Sequence, residues 1–386
     1  MNLIESGQRM AGELIQFRRE LHRYPELSLH ESETAAKVAA QLRAWGFHCK
    51  TGVGGHGIIA DLQGNQPGPV IALRADMDAL PIQEETGLEF ASASPGIMHA
   101  CGHDAHTAIL LGAARLLQSQ QLAGTVRFLF QAAEEINAGA KAMIADGALE
   151  GVDEIYGLHN LPTLSAGKVA TRCGSLMGSV DRIEITIEGR GGHGAIPEQS
   201  IDPVVCASSI VMALQTVVSR EISPFDPVVI TIGSIHAGEA NNVIPHRAQL
   251  TGTVRTFNPK VQERIPSQIE RIVNELAASY RCKAKLSYIH QVPVLVNHDE
   301  CVLHTEAVID RMIGRQHRVE AAPTLAGEDF SVYLGQVPGC FFWLGSGPAE
   351  YAEEAFGLHH PQYMLNEDCI PLGASLLAAI AIERCK

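Results

Sequence analysis

Through the first half of the chain, short β-branched runs alternate with stretches of helical spacing. Gly57–Leu62, Val70–Arg74, Val126–Gln131 and Ile155–His159 are apolar runs with the length and composition of strands buried on both faces. Met10–Tyr24, Glu33–Gly46 and Thr107–Gln118 place apolar side chains at helical spacing, and Gly46 serves as a helix stop. This alternation predicts an α/β fold with a mainly parallel sheet and helices packed on both faces. Polar residues follow each strand run, so Asp76, Asp78, Glu134, Glu135 and His159 fall beyond carboxyl ends of strands, where open α/β sheets build their sites.

At about Met177 the pattern changes. Ile183, Ile185 and Ile187 alternate with Glu184, Thr186 and Glu188, as in a half-buried strand. Asp202 and Pro203 form an N-cap and first-turn pair for a helix running to about Arg220. Strands Val228–Ile235 and Gln249–Thr256, a helix from Val261 to Tyr280 and a strand Ala284–His290 complete βαββαβ, the split unit of a ferredoxin-like sandwich. After Val292 the mixed pattern returns, with a strand at Phe341–Gly345 and a closing helix Leu372–Glu383. The expectation is a discontinuous catalytic domain over 1–178 and 292–386, interrupted by an inserted domain at 179–291. None of the Gly-rich stretches GVGG, GRGGHG and GSGP follows the nucleotide-binding fingerprint.

Composition narrows the partners. The 386 residues are 46% hydrophobic, ample for two cores. With 29 Lys plus Arg against 43 Asp plus Glu, the net charge of −14 repels nucleic acid and anionic membrane surfaces and favours a small-molecule substrate. Nine cysteines, odd in number and widely spread, point to a reducing cytoplasm rather than a disulfide framework. Residues 1–20 show no secretory apolar core, and the apolar stretch Ile370–Ile382 is too short to span a bilayer.

The chemistry concentrates in MHACGHD at 98–104 and QAAEE at 131–135. Cys101 and His103 sit two apart, so both side chains can face one ion. Glu134 and Glu135 are adjacent and point different ways, which lets one bind a metal while the other reaches a water beside it. His159 ends a strand run and His359 precedes His360 in LHHP; the first two are candidate ligands and His360 a bystander. Asp76 and Asp78 suit a supporting role as acceptors of imidazole N–H bonds, or a turn cap before Pro81, and Asp104 suits a cap of the helix that follows. In the inserted domain His193 stands among small residues in GRGGHGAIP; with the NNVIP stretch and Arg255 it offers an imidazole, an amide and a guanidinium for an oxyanion and a carboxylate, the plain alternative being a glycine turn and a surface arginine. Cys101 can also be read as a nucleophile or as a small buried hydrophobe.

In order, RADMDALP, MHACGHDAHT, AAEE, LHN, GRGGHGAIPEQSIDP, NVIP, GEDF and LHHP resemble the metal-dependent aminoacylase and hippurate hydrolase family, and are similar to plant auxin-conjugate amidohydrolases. The resemblance covers nearly the whole chain. It implies a catalytic α/β domain, an inserted lid or dimerisation domain, and two divalent metal ions held by Cys101, His103, Glu135, His159 and His359, with Cys101 a candidate bridge. It implies Glu134 as general acid/base, His193 as an oxyanion donor completed by closure of the inserted domain, within one chain or across a dimer, Asn242 and Arg255 as holders of the substrate carboxylate, and Asp78 as the residue orienting a ligand. Asp76 stands where the wider peptidase clan carries a ligating His, and Cys101 where it carries a bridging Asp. Sulfur among the donors suits zinc, while the imidazoles and carboxylate admit manganese, cobalt or nickel. Glu198 in place of a common His, and the AGEDF form, leave substrate preference open. The implied reaction is hydrolysis of an N-acyl amino acid to a carboxylic acid and an amino acid by a homodimer or higher homo-oligomer. A metallo-dipeptidase or carboxypeptidase, a cysteine-nucleophile hydrolase, and a non-catalytic metal or amino-acid binding protein are the alternatives.

Overall fold

The computed structural model describes residues 2–348 and 352–386. The chain divides into two compact units, the first made of Met1–Gly174, Val296–Ala322 and Asp329–Lys386, the second of Ser175–Leu295 and Pro323–Glu328. The short return at 323–328 carries no periodicity and was not indicated by the alternation of elements; its Thr324 and Ala326 carbonyls both accept the Gly178 N–H. Two sheets use twelve strands, in chain order β1 Cys49–Val53, β2 Gly57–Gln63, β3 Gln66–Asp76, β4 Ala123–Gln131, β5 Glu154–Ser165, β6 Val169–Thr171, β7 Val180–Glu188, β8 Val228–Ala237, β9 Arg247–Thr256, β10 Lys283–Val292, β11 Arg318–Glu320 and β12 Gly339–Gly347.

In the first unit the sheet order is β1-β2-β4-β3-β5-β12-β6-β11. Its middle, β4-β3-β5-β12, is parallel throughout, whereas β1, β2 and β6 join antiparallel to their inner neighbours. The parallel strands are apolar on both faces because both are covered: Ile71, Ala72, Leu73, Val126, Phe128 and Leu129 are all buried. One helix, His103–Leu117, is buried at every residue except Arg115. It packs against the helices Leu3–Arg23 and Cys369–Arg384. A Cβ on its Gly112 would come within 2.8 Å of Leu14 and Ala374 side-chain carbons, so the absence of a side chain is what lets the three helices approach.

This helix begins four residues before the expected Thr107. His103, Asp104 and His106 interrupt the apolar spacing, but they are buried against charged partners rather than hydrocarbon. Asp104 is not the cap of the helix; Gly102 holds that position with φ 87°, and Asp104 instead meets Arg18 Nε at 2.6 Å and His22 Nδ1 at 2.8 Å.

In the second unit the order is β8-β9-β7-β10, every neighbour antiparallel. Helices Pro203–Thr216 and Pro259–Ser279 supply Ile210, Leu214, Ile265 and Ile269 to a core shared with Ile183, Ile185 and Ile187. Asp202 caps the first of them, accepting the Val204 N–H at 2.8 Å, and the chain continues as a π-helical turn, Val217–Glu221. Among the described residues, Pro203–Glu221 is one helical run long and apolar enough, by length and composition, to cross a membrane. Its Cys206, Ala207, Ile210 and Leu214 are buried within the unit. A two-residue ribbon pairs His193 with Val243.

Candidate metal centre

The parallel strands deliver the chemistry to one end of the first sheet. β3 ends at Asp76, β5 carries His159, and β4 ends at Gln131 immediately before the loop bearing Glu134 and Glu135. Cys101 and His103 flank Gly102, where no side chain fits: a Cβ there would lie 2.3 Å from Asn160 Nδ2 and 2.6 Å from the Tyr363 hydroxyl. The same Asn160 amide donates to the Cys101 carbonyl at 2.6 Å, which ties the Cys101–His103 turn to β5. His359 comes from the loop before the last helix, its N–H on the Ala100 carbonyl at 2.8 Å and its backbone left-handed at φ 64°.

These side chains converge. Cys101 Sγ lies 3.3 Å from His159 Nε2. Glu135 Oε1 lies 3.4 Å from His359 Nε2 and 3.8 Å from His103 Nε2. The far side of each ring is fixed: Asp78 Oδ1 stands 3.1 Å from His103 Nδ1, and the Asn160 carbonyl 2.8 Å from His159 Nδ1. Asp78 Oδ2 also accepts the Glu135 N–H at 2.9 Å. Asp76 contacts a different imidazole, with Oδ1 at 2.6 Å from His106 Nδ1, and its other oxygen accepts from Arg74 Nη1 at 2.7 Å. Glu134 Oε1 accepts the Asp329 N–H at 3.4 Å. All these groups are buried or nearly so, except His359, whose side chain is 51% exposed.

Burial, reinforced by Glu135, Glu134 and Asp76, pushes the Cys101 thiol well above its ordinary range. Burial and His106 push His159 well down. For His103, burial opposes the charge, but Asp76, Asp78 and Glu135 outweigh it and raise the pKa to about 10. Burial raises Asp76 and Asp78, yet the surrounding imidazoles, with Arg74 for Asp76 and Ser28 for Asp78, hold both below the usual carboxylate range.

Two atoms in this cluster, His103 Nε2 and Glu135 Oε1, are buried and have no hydrogen-bond partner among the described residues. An unpaired buried polar atom costs about 1–3 kcal/mol. Both atoms belong to groups of donors lying within 4.8 Å of one another, among them Cys101/His103/His159, Cys101/Glu135/His359 and His103/Glu134/Glu135. A mixed sulfur, nitrogen and oxygen set of this kind fits zinc or a neighbouring first-row divalent ion. Asp76/His103/His106 also come within that distance. There, however, His106 has both nitrogens engaged, Nδ1 on Asp76 and Nε2 accepting the Asn160 N–H at 2.9 Å.

Arg74, Gln131 and Asp329 form a buried support that motif reading did not single out. Arg74 Nη2 donates to Asp329 at 2.9 Å, and the Gln131 amide donates to both Asp329 oxygens at 2.8 Å. Arg74 and Asp329 lie within RADMD and GEDF, the first read for its aspartates and the second for substrate preference. His193, Asn242 and Arg255 belong to the second unit. The Gly194 N–H donates to the Asn242 carbonyl at 2.8 Å, which brings the His193 and Asn242 loops together. Arg255 stands on β9, with Nε on the Thr253 hydroxyl at 3.1 Å, and burial lowers its pKa.

Residues 72–383 match the family model described as peptidase family M20/M25/M40. The chain is 42% identical over 377 residues to an N-acetylcysteine deacetylase of Bacillus subtilis (strain 168), covering 96% of each protein. It is 39% identical to the IAA-amino acid hydrolase ILR1-like 2 of Arabidopsis thaliana, over 97% of this chain and 85% of that one. Among solved structures, the YXEP protein of Bacillus subtilis, described as a dinuclear metal-binding peptidase from the M20 family, aligns with a TM-score of 0.86 at 37% identity, over 97% of this chain and 98% of that one.

Proposed function

The chain belongs to peptidase family M20/M25/M40, and on that premise we propose that it is a metal-dependent amidohydrolase that cleaves N-acyl amino acids to a carboxylic acid and a free amino acid. The observation carrying this reading is the pair of buried atoms His103 Nε2 and Glu135 Oε1, without a hydrogen-bond partner among the described residues and set among sulfur and imidazole donors with Glu134 beside them.

Cys101, His103, Glu135, His159 and His359 are the residues assigned to hold two divalent ions, whether zinc, manganese, cobalt or nickel. Bound there, such ions supply Lewis acidity, polarising an amide carbonyl and lowering the pKa of water from ~16 to roughly 7. In the neutral ring that holding an ion would require, Asp78 keeps the proton of His103 on Nδ1, and the Asn160 carbonyl keeps that of His159 on Nδ1, which leaves both Nε2 lone pairs to the donor cluster. Glu134 takes a proton from the attacking water and returns it to the departing amine nitrogen. In the second unit, the Ala195 N–H donates to His193 Nδ1 at 3.0 Å, which places the ring proton on Nε2, the tautomer needed to donate to an oxyanion. Asn242 and Arg255 are assigned to the substrate carboxylate.

We take the first unit as the catalytic domain and the second as a lid or dimerisation domain. Exposed Val204, Val205 and Met212 on one helix of the second unit support a homo-oligomer. All nine cysteines are unpaired, in keeping with a reducing cytoplasm.

The test is hydrolysis of N-acetyl-L-cysteine and a panel of other N-acyl amino acids by metal-stripped protein, with single divalent ions added back. Stripping abolishes turnover and an added ion restores it; Glu134→Gln retains the ions but loses about 10²- to 10⁴-fold in kcat. Turnover that survives chelation and disappears on alkylation of Cys101 would mark a cysteine nucleophile and overturn the proposal.

A further inference from the structure

Glu31 occupies the N-cap of the helix Ser32–Ala44, yet its side chain makes no capping bond to that helix. The capping is done by Glu26, whose carboxylate accepts the Glu33 N–H at 3.2 Å and the Thr34 N–H at 2.8 Å. Released from that local role, Glu31 reaches across 102 residues of sequence and accepts the Ala133 N–H through Oε1 at 2.7 Å. Both residues are completely buried.

Ala133 immediately precedes the two glutamates and has a left-handed backbone at φ 57°. An L-residue in that region costs about 1–2 kcal/mol and persists only where its surroundings enforce it. The enforcing contacts can be named. The Ala133 carbonyl accepts the Ala138 and Gly139 N–H groups at 3.2 and 3.0 Å, and its N–H is held by Glu31. Two residues on, the Glu135 N–H is held by Asp78 at 2.9 Å. Two carboxylates from other parts of the chain therefore grip alternate amides, one on each side of Glu134. They also share a support, because Ser28, three residues before Glu31, donates to Asp78 at 2.7 Å, and the Glu26 carbonyl accepts the Ala79 N–H at 2.8 Å.

We propose that Glu31 is a positioning residue for amide hydrolysis: its carboxylate, through the Ala133 N–H, fixes the left-handed turn that aims Glu134 at the reacting centre. The inference rests on the reading of Glu134 as the acid/base. Glu31 has no part in holding the ions and none in binding substrate, so its loss falls on kcat. A displacement of about 1 Å in an acid/base group costs up to about 10²-fold in rate. The Oε2 atom of Glu31 is buried without a hydrogen-bond partner among the described residues, and burial, aided by Asp78, raises the pKa of this carboxyl. An uncharged amide therefore substitutes for it as an acceptor, whereas an apolar side chain of the same length does not.

The experiment compares Glu31→Met and Glu31→Gln, both ion-loaded, on N-acetyl-L-cysteine, with kcat, KM, bound metal and melting temperature measured on the same preparations. The expected result is a kcat about 10- to 100-fold lower for Glu31→Met, with KM and metal content preserved and the melting temperature lower by only a few degrees because one buried N–H loses its acceptor, and recovery to within about threefold of the native rate for Glu31→Gln. A Glu31→Met kcat within about threefold of native overturns the proposal. Should Glu31→Met not fold, Glu31→Asp decides: shortening the chain withdraws the acceptor from Ala133, so a lowered kcat supports the assignment and a native kcat sinks it. Glu134→Gln separates the two readings. If Glu134 is the acid/base and Glu31 acts through it, adding Glu31→Met to Glu134→Gln lowers kcat no further. An active Glu134→Gln enzyme defeats the reading of Glu134, whereas an inactive one beside a fully active Glu31→Met enzyme defeats only the role of Glu31.

Discussion

Asp78 accepts three donors at once: the Ser28 hydroxyl, the Glu135 N–H and His103 Nδ1. One carboxylate thus sets the tautomer of one assigned ligand and the backbone position of another. Residues that orient ligands in this way typically contribute 10- to 100-fold in metal affinity. Asp78→Ala is accordingly expected to weaken zinc binding by about that factor, read by competition with a chromogenic chelator, while the folded chain persists. Unchanged affinity would show that packing alone orients His103. Asp76, two residues earlier on the same strand end, does a different job, because its oxygens meet His106 and Arg74 instead. Spacing offered both carboxylates as acceptors of imidazole N–H bonds or as a turn cap; it carried no information on which imidazole each would meet, since that depends on where the helix His103–Leu117 begins.

The ends of β3 and β4 are locked together by charge. Arg74 on β3 donates to Gln131 on β4 and to Asp329, which lies 255 residues away, and Gln131 completes the circuit to Asp329. Asp329 stays hard to ionise: burial lifts its pKa to about 6 although Arg74 opposes this. Removing one partner of a buried ion pair leaves an uncompensated charge and typically costs about 3–5 kcal/mol. Arg74→Met should therefore destabilise the first unit by about that amount. Trp45 and Trp343, the chain's two tryptophans, both lie in the first unit, so urea unfolding followed by tryptophan fluorescence reports on it directly. A midpoint equal to the native one would mean that Arg74 is dispensable to the strand ends. At this scale the strands themselves were legible, because buried parallel strands carry unbroken apolar runs. Arg74 was not, since a buried arginine at the end of an apolar run looks like the first solvated residue beyond it. The helix Leu3–Arg23 shows the same limit at its start: its expected onset was Met10, but Asn2 caps it, accepting the Ile4 N–H at 3.1 Å, ahead of any apolar periodicity.

At the scale of the whole molecule, the period-two isoleucines of β7 were legible as a half-buried strand, because the face that an amphipathic strand buries is written in every other residue. The return of 323–328 to the second unit was invisible for the converse reason: it joins by backbone hydrogen bonds, which leave no trace in side-chain pattern. A further network, around Glu84, is expected to contribute to the acid stability of the molecule. Glu84 accepts the Ser92 N–H at 2.7 Å and the Thr86 hydroxyl, and stands 3.3 Å from His22 Nε2, which links the loop after β3 to the first helix. Burial works against its charge, but His22, the Ser92 N–H and the Thr86 hydroxyl outweigh it and bring its pKa from 4.5 down to about 2. The folded-state value is the lower one, so the stabilisation is fully present above about 4.5 and drains away as the pH falls towards 2. His22 shifts the other way; despite burial, Asp104 and Glu84 raise it, and its contribution is present below its unfolded value and lost as the pH rises through the folded one. Glu84→Gln keeps one acceptor oxygen where the carboxylate offers Ser92 and Thr86 one each, and it cannot ionise. It should therefore be less stable than the native protein at neutral pH, and its urea midpoint should fall less steeply between pH 4.5 and 2. Midpoints measured at half-unit steps across that window, with the same two tryptophans as reporters, check this; parallel curves for native and variant would place the acid sensitivity in other carboxylates.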